Sequence, residues 1–195
     1  TPFSFTATCA AIVAANYVPV FCDIDPETFC IDPKKLKNLI TKKTQCVVTV
    51  HWCGNVGDLD KISAICKDNN VFLVEDAAQA PGSFYKSRPV GTFGDVSVFS
   101  FNEPKNIMTG EGGMIVTNSE KIAVKSRLIR NHGEAIVTDE SSDEQLVNII
   151  GYNFRMTELH ASVAYVQTKK FDKINLIKSK NYKYLTNKLM KKFAN

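Results

Sequence analysis

Short apolar runs of strand length alternate along the chain with segments of helical period. Val18 to Ile24, Cys46 to His51, Val71 to Glu75, Val96 to Phe101 and Met114 to Thr117 are rich in β-branched and aromatic residues and predict strands. Helices are predicted among them. Pro33 to Ile40 opens with Asp32 as N-cap and proline at the first helical position. Leu59 to Lys67 places Leu59, Ile62, Ile65 and Cys66 on one face behind Asp58 as cap, and Glu120 to Arg130 is a third helix. Strand, helix and strand in repetition require crossover connections, so the predicted class is α/β: a mostly parallel sheet flanked by helices and covered on both faces. After Met156 the pattern turns helical and polar. Thr157-Glu158 opens a segment to about Lys170, and a long basic helix follows from Asp172. The chain thus divides into a domain over residues 1–155 and a helical segment over residues 156–195.

Composition narrows the class without naming a function. With 44% hydrophobic and 23% charged residues the chain can bury a core of its own. Its formal charge is only +4 and the basic residues are scattered, which argues against a nucleic-acid footprint. The densest basic cluster, Lys178, Lys180, Lys183, Lys188, Lys191 and Lys192, reads as the solvated face of a helix. The six cysteines, at positions 9, 22, 30, 46, 53 and 66, form no C-x-x-C pair, so a zinc site is not expected and reduced thiols in a cytoplasmic protein are. No apolar stretch approaches the roughly 20 residues a bilayer span needs. The chain starts at Thr1-Pro2 and enters patterned sequence at once, as a piece of a longer protein would.

In sheets of this kind ligands collect at the carboxyl ends of the strands. His51, Asp76, Gln79 and the segment Ser100 to Lys105 lie just past those ends. Asp76, after the run Val71-Phe72-Leu73-Val74, reads either as a carboxylate awaiting a ligand or as the cap of the next turn. Lys105 precedes the glycine-rich stretch Gly110-Glu111-Gly112-Gly113, where the backbone can turn tightly and approach a ligand. That stretch is not a G-x-x-x-x-G-K-[ST] loop, and no G-x-G-x-x-G follows a strand, so nucleoside triphosphate and dinucleotide binding have no anchor. His51 reads as a hydrogen-bonded strand-end histidine and Glu111 as a charged turn residue.

Six segments, taken in order and spacing, resemble successive blocks of the DegT/StrS family of sugar aminotransferases: Thr1 to Ile12, Val20 to Pro26, Glu75 to Gly82, Phe99 to Gly113, Arg130 to Gly133 and Gly151 to Glu158. These are enzymes of pyridoxal 5'-phosphate (PLP) with the aspartate-aminotransferase fold, fold type I. The resemblance covers residues 1 to about 171. It implies that residues 1–155 are a PLP-binding large domain lacking its N-terminal part, and that residues 156–195 lead toward a small domain beyond the C-terminus. The family's upstream phosphate-binding loop is not among these residues, so the chain by itself is expected to bind PLP weakly and to be inactive.

Carried onto this sequence, the resemblance makes Lys105 the Schiff-base lysine and Asp76 the partner of the cofactor's ring nitrogen. Gln79 falls near the ring hydroxyl, Ser100 at the phosphate, and Phe5 at the aromatic position that stacks on the ring. Asn153 matches an asparagine that reaches the cofactor phosphate of a neighbouring subunit, which implies a homodimer. The implied reaction is amino transfer from an amino-acid donor, glutamate, to a nucleotide-linked keto sugar in amino-sugar biosynthesis for a polysaccharide or glycan. Related dehydratases replace the lysine, typically with histidine, so Lys105 weighs against that alternative; together Asp76, Gln79, Ser100 and Lys105 weigh against a non-catalytic regulator. Pro104 departs from the family's usual small residue before the lysine and is expected to hold the loop extended.

Overall fold

The computed structural model describes residues 1–134 and 149–193. In chain order its strands are β1 (Cys46–Val50), β2 (Phe72–Asp76), the short pair β3 (Phe84–Tyr85) and β4 (Arg88–Pro89), then β5 (Val96–Ser100) and β6 (Gly113–Val116). The sheet runs β1-β2-β5-β6, with β3 and β4 forming a separate antiparallel hairpin. β1, β2 and β5 are parallel and β6 closes the edge antiparallel, which bears out the expected mostly parallel α/β sheet.

The helices are α1 (Thr6–Ala14), α2 (Pro33–Leu39), α3 (Leu59–Asp68), α4 (Glu120–Arg130) and α5 (Glu158–Phe193). α3 is the crossover from β1 to β2 that a parallel pair demands. The caps read from sequence form: Asp32 accepts from the Lys34 N–H at 2.8 Å and Asp58 from the Lys61 N–H at 3.1 Å. Leu36 of α2 and Ile62 and Cys66 of α3 pack with Val47 and Leu73 in one core cluster. Leu59 joins Ala77, Ala80 and Val90 in a second.

Both clusters seal the same side of the sheet. In a strand, alternate residues face opposite ways, and the register places Thr49, Glu75 and Ser97 side by side on the sealed face, all fully buried. Phe72, Val74 and Asp76 point to the other face, where Phe72 is 60% exposed. Coverage of both faces was expected; among the described residues the face under α2 and α3 is closed, while the other, with Val50 buried but Phe72 exposed, is covered only in part.

Val18 to Ile24 is not a sheet strand. The run pairs at a single bridge, Ile24 with Ile31, and Val18 and Val20 are exposed, since a strand needs a neighbouring edge as well as strand composition. The two helical segments predicted after Met156 are one helix of 36 residues, α5, which contains neither proline nor glycine to interrupt it. α5 lies alongside the sheet mouth: Phe171 abuts Gly82 and Lys178 bonds Asn106. No helix among the described residues is long and apolar enough to cross a membrane. All six cysteines are free thiols.

Candidate active site

Four of the residues singled out from sequence, Asp76, Gln79, Ser100 and Lys105, lie at the carboxyl end of the parallel strands. β2 ends at Asp76 and β5 at Ser100, and the register puts both side chains on the open face of the sheet. A cleft of about 340 Å³ lies beyond them, lined by Cys53, Gln79, Pro81, Pro104, Lys105 and Asn106. Lys105 is half-buried there, and its ammonium has no hydrogen-bond or ion-pair partner among the described residues. The loop that carries it is a turn, not the extended segment expected from Pro104: the Lys105 N–H donates to the Asn102 carbonyl at 3.0 Å. The closing bond uses the lysine's N–H, so proline's missing donor leaves the turn intact.

Asp76 meets both readings of its sequence position. Its Oδ1 accepts from the Ala78 N–H at 3.2 Å, as a turn cap does, while its Oδ2 accepts from the Thr8 hydroxyl of α1 at 2.7 Å. Phe5, 69% exposed, is the N-cap residue of the same helix, with its carbonyl accepting from the Thr8 N–H. Ser100 Oγ accepts from the Asn102 N–H at 3.3 Å and so sits at the base of the lysine loop. Gln79 Oε1 accepts from the Cys53 N–H at 2.9 Å. Cys53 follows β1 and has a left-handed backbone, φ 52°. Asn153 is exposed, bridges Asn131 and does not line the cleft with Gln79 and Lys105.

Two features of this region had no sequence signal. Thr8 belongs to α1, a helix of small and apolar residues without an amphipathic period. The other is the hub around Glu75, on the sealed face one residue before Asp76. The Glu75 carboxylate accepts from His51 Nε2 at 3.0 Å, from the N–H groups of Gly91, Phe93 and Gly94 at 2.8, 2.6 and 2.7 Å, and from Ser97 Oγ at 3.1 Å. Burial by itself would push its carboxyl up, but the bonds from His51, Gly91, Gly94 and Phe93 outweigh burial and hold it at about 2. Gly91 approaches with φ 88°, and a Cβ there would lie 2.6 Å from the Phe99 ring, so this position needs glycine. His51 is fully buried, in keeping with its reading as a hydrogen-bonded strand-end histidine. Glu111 accepts from the Asn102 amide at 3.0 Å and is exposed, as a charged turn residue is. No three His, Cys, Asp or Glu side chains among the described residues group to hold a metal ion.

The chain is similar in sequence and fold to known proteins. GDP-perosamine synthase of Caulobacter vibrioides is 36% identical over 169 residues, which are 87% of this chain and 44% of that protein. The structure of Helicobacter pylori PseC, an aminotransferase involved in the biosynthesis of pseudoaminic acid, matches with a TM-score of 0.80 at 35% identity, over 88% of this chain and 45% of its own. A GDP-4-keto-6-deoxymannose-3-dehydratase with bound GDP-perosamine matches with a TM-score of 0.85 at 30% identity, over 95% of this chain and 51% of its own. The chain therefore spans about half the length of the relatives it matches. Residues 1–193 match the profile of the DegT/DnrJ/EryC1/StrS aminotransferase family, and the chain belongs to that family.

Proposed function

We propose that the intact protein is a PLP-dependent aminotransferase that moves an amino group from glutamate to a keto sugar carried on a nucleotide. The observation that carries this reading is Lys105, an amine without a partner among the described residues, facing a cleft it shares with Gln79. The donor set suits PLP: an amine for its aldehyde, a carboxylate for its ring nitrogen, an amide N–H for its ring oxygen and a hydroxyl for its phosphate. When bound, the cofactor supplies an electron sink for charge that develops at the donor's α-carbon.

In this reading Lys105 holds the cofactor covalently and, once displaced, carries the proton between reacting carbons, tasks that need a neutral amine. Asp76 favours protonation of the ring nitrogen through its opposite charge. Gln79 donates to the ring oxygen, Ser100 to the phosphate, and Phe5 covers the ring. Asn153, exposed and away from the cleft, serves the cofactor of a second subunit in a homodimer. Residues 1–155 belong to the cofactor-binding domain and residues 156–195 lead out of it. Six free cysteines suit a cytoplasmic location. GDP-perosamine in the name of one relative and in the structure of another supports a nucleotide-linked substrate.

The likeness to a dehydratase structure favours a second reading, removal of a sugar hydroxyl; lysine at position 105, where such enzymes carry histidine, favours amino transfer. The test is reduction of the PLP-loaded intact protein with borohydride followed by peptide mapping. The label is expected on Lys105, and Lys105→Ala should lose it together with a factor of about 10² to 10⁴ in turnover. Label retained elsewhere in Lys105→Ala overturns the assignment. Product analysis with nucleotide-linked keto sugars and glutamate separates the readings, an amino sugar supporting the first and a deoxy sugar the second.

A further inference from the structure

Asp76 is tied to more than its own turn. Its Oδ2 receives the Thr8 hydroxyl at 2.7 Å, and Thr8 Oγ1 lies 2.8 Å from Ser4 Oγ. An ionised carboxylate only accepts, so Thr8 must donate to Asp76. A hydroxyl has one proton, so the Thr8 oxygen must then accept from Ser4. The three residues thus form a directed relay, Ser4 to Thr8 to Asp76, spanning 68 residues of sequence at its second step.

The relay fixes a degree of freedom that matters at this position. A carboxylate's terminal torsion is broad, and the one other contact to Asp76 among its hydrogen bonds is the 3.2 Å Ala78 N–H. The Thr8 bond is short and charge-assisted, the stronger of the two. Among the described residues it is the only side-chain hydrogen bond that ties α1 to the sheet, and α1 has no buried residue. Phe5 lies at the N-cap of the same helix, less than one turn before Thr8. One helix therefore sets both the aromatic residue proposed to cover the ring and the carboxylate proposed to pair with its nitrogen.

We propose that Thr8 is a positioning residue for the cofactor ring: the Ser4–Thr8 relay locks the carboxylate of Asp76 in the orientation that meets the ring nitrogen. This rests on the reading of Asp76 as the partner of PLP. Thr8→Val removes the hydroxyl at nearly constant volume, and Thr8→Ser retains it without the methyl group. In the intact protein Thr8→Val should bind PLP about tenfold more weakly, the size expected when a hydrogen bond to a charged group is lost. It should shift the pH titration of the bound cofactor's visible absorbance and lower kcat while the donor KM stays within about threefold. Thr8→Ser should recover PLP affinity to within about threefold of the parent.

Parent-like affinity and titration in Thr8→Val overturn the inference. So does a Thr8→Ser variant as impaired as Thr8→Val, since the methyl group would then be what matters. Should Thr8→Val fail to fold, Ser4→Ala carries the test: a titration displaced in the same direction supports the relay, and an unmoved one overturns it. Borohydride labelling of the parent separates the two levels. A parent unlabelled at Lys105 removes the proposed function and the relay with it; a labelled parent beside a parent-like Thr8→Val removes the relay alone.

Discussion

The hub around Glu75 and the cleft around Lys105 grow from consecutive residues of β2, yet they are opposites. The pleat sends Glu75 to the sealed face and Asp76 to the open one. Glu75 is fully buried and meets five donors, from His51, the loop Gly91 to Gly94 and Ser97. Asp76 is half-buried with two donors, and Lys105 has no partner for its ammonium among the described residues. A charge whose partners all come from the protein holds structure together. Charges at the sheet mouth with acceptor or donor capacity to spare are what a ligand engages.

The largest effect should come from breaking the hub. Glu75→Ala strands the His51 ring and three backbone N–H groups in the interior, and each buried donor left unpaired costs about 1–3 kcal/mol. His51 Nδ1 already lacks a partner among the described residues, so the ring has no second bond to fall back on. Urea unfolding at pH 7 checks this, with Lys105→Ala as the contrast, expected within about 0.5 kcal/mol of the parent. Equal losses in the two variants would erase the distinction between the regions.

Acid should find the same hub. The folded Glu75 carboxyl titrates at about 2 against an ordinary value of 4.5, a depressed value. Its contribution, about 3 kcal/mol at most, is therefore fully present above the unfolded value and is lost as pH falls from about 4.5 through about 2. Urea midpoints measured from pH 7 to pH 2 should decline more steeply for the parent than for Glu75→Gln. Parallel declines would mean that carboxylates other than Glu75 set the acid response.

This contrast was only half legible in the sequence. The apolar run Val71 to Val74 announces a strand, and Asp32 and Asp58 announce helix starts, because those signals are local and the interactions behind them span two or three residues. Asp76, Gln79, Ser100 and Lys105 stand out because they follow strand ends, where a parallel sheet must place its ligand residues. Glu75 looked like one more strand position: its partners lie 16 to 24 residues away in both directions, and only the fold brings them in. Val18 to Ile24 failed for the converse reason, strand composition without a sheet edge to join. Thr8 was invisible because a threonine in a uniformly small and apolar helix has no periodic neighbour that marks the face it presents.

The smallest effect tests the cleft at its finest detail, the orientation of one amide. The Cys53 N–H donates to Gln79 Oε1, which turns the oxygen to Cys53 and leaves the NH₂ without a partner among the described residues, at the cleft wall both residues line. In the proposed function that NH₂ donates to the cofactor's ring oxygen. Gln79→Glu keeps the size and the acceptor for Cys53 but replaces the donor with an anionic oxygen. PLP affinity of the intact protein, followed by cofactor absorbance, should fall about tenfold while the urea midpoint stays near the parent's. Gln79→Met, which removes donor and acceptor together, should lose affinity as well and loosen the Cys53 turn, adding a small loss of stability that Gln79→Glu lacks. Parent-like affinity in Gln79→Glu would show that the ring oxygen is met by another donor, and the cleft would then differ from the hub in exposure but not in the use made of Gln79.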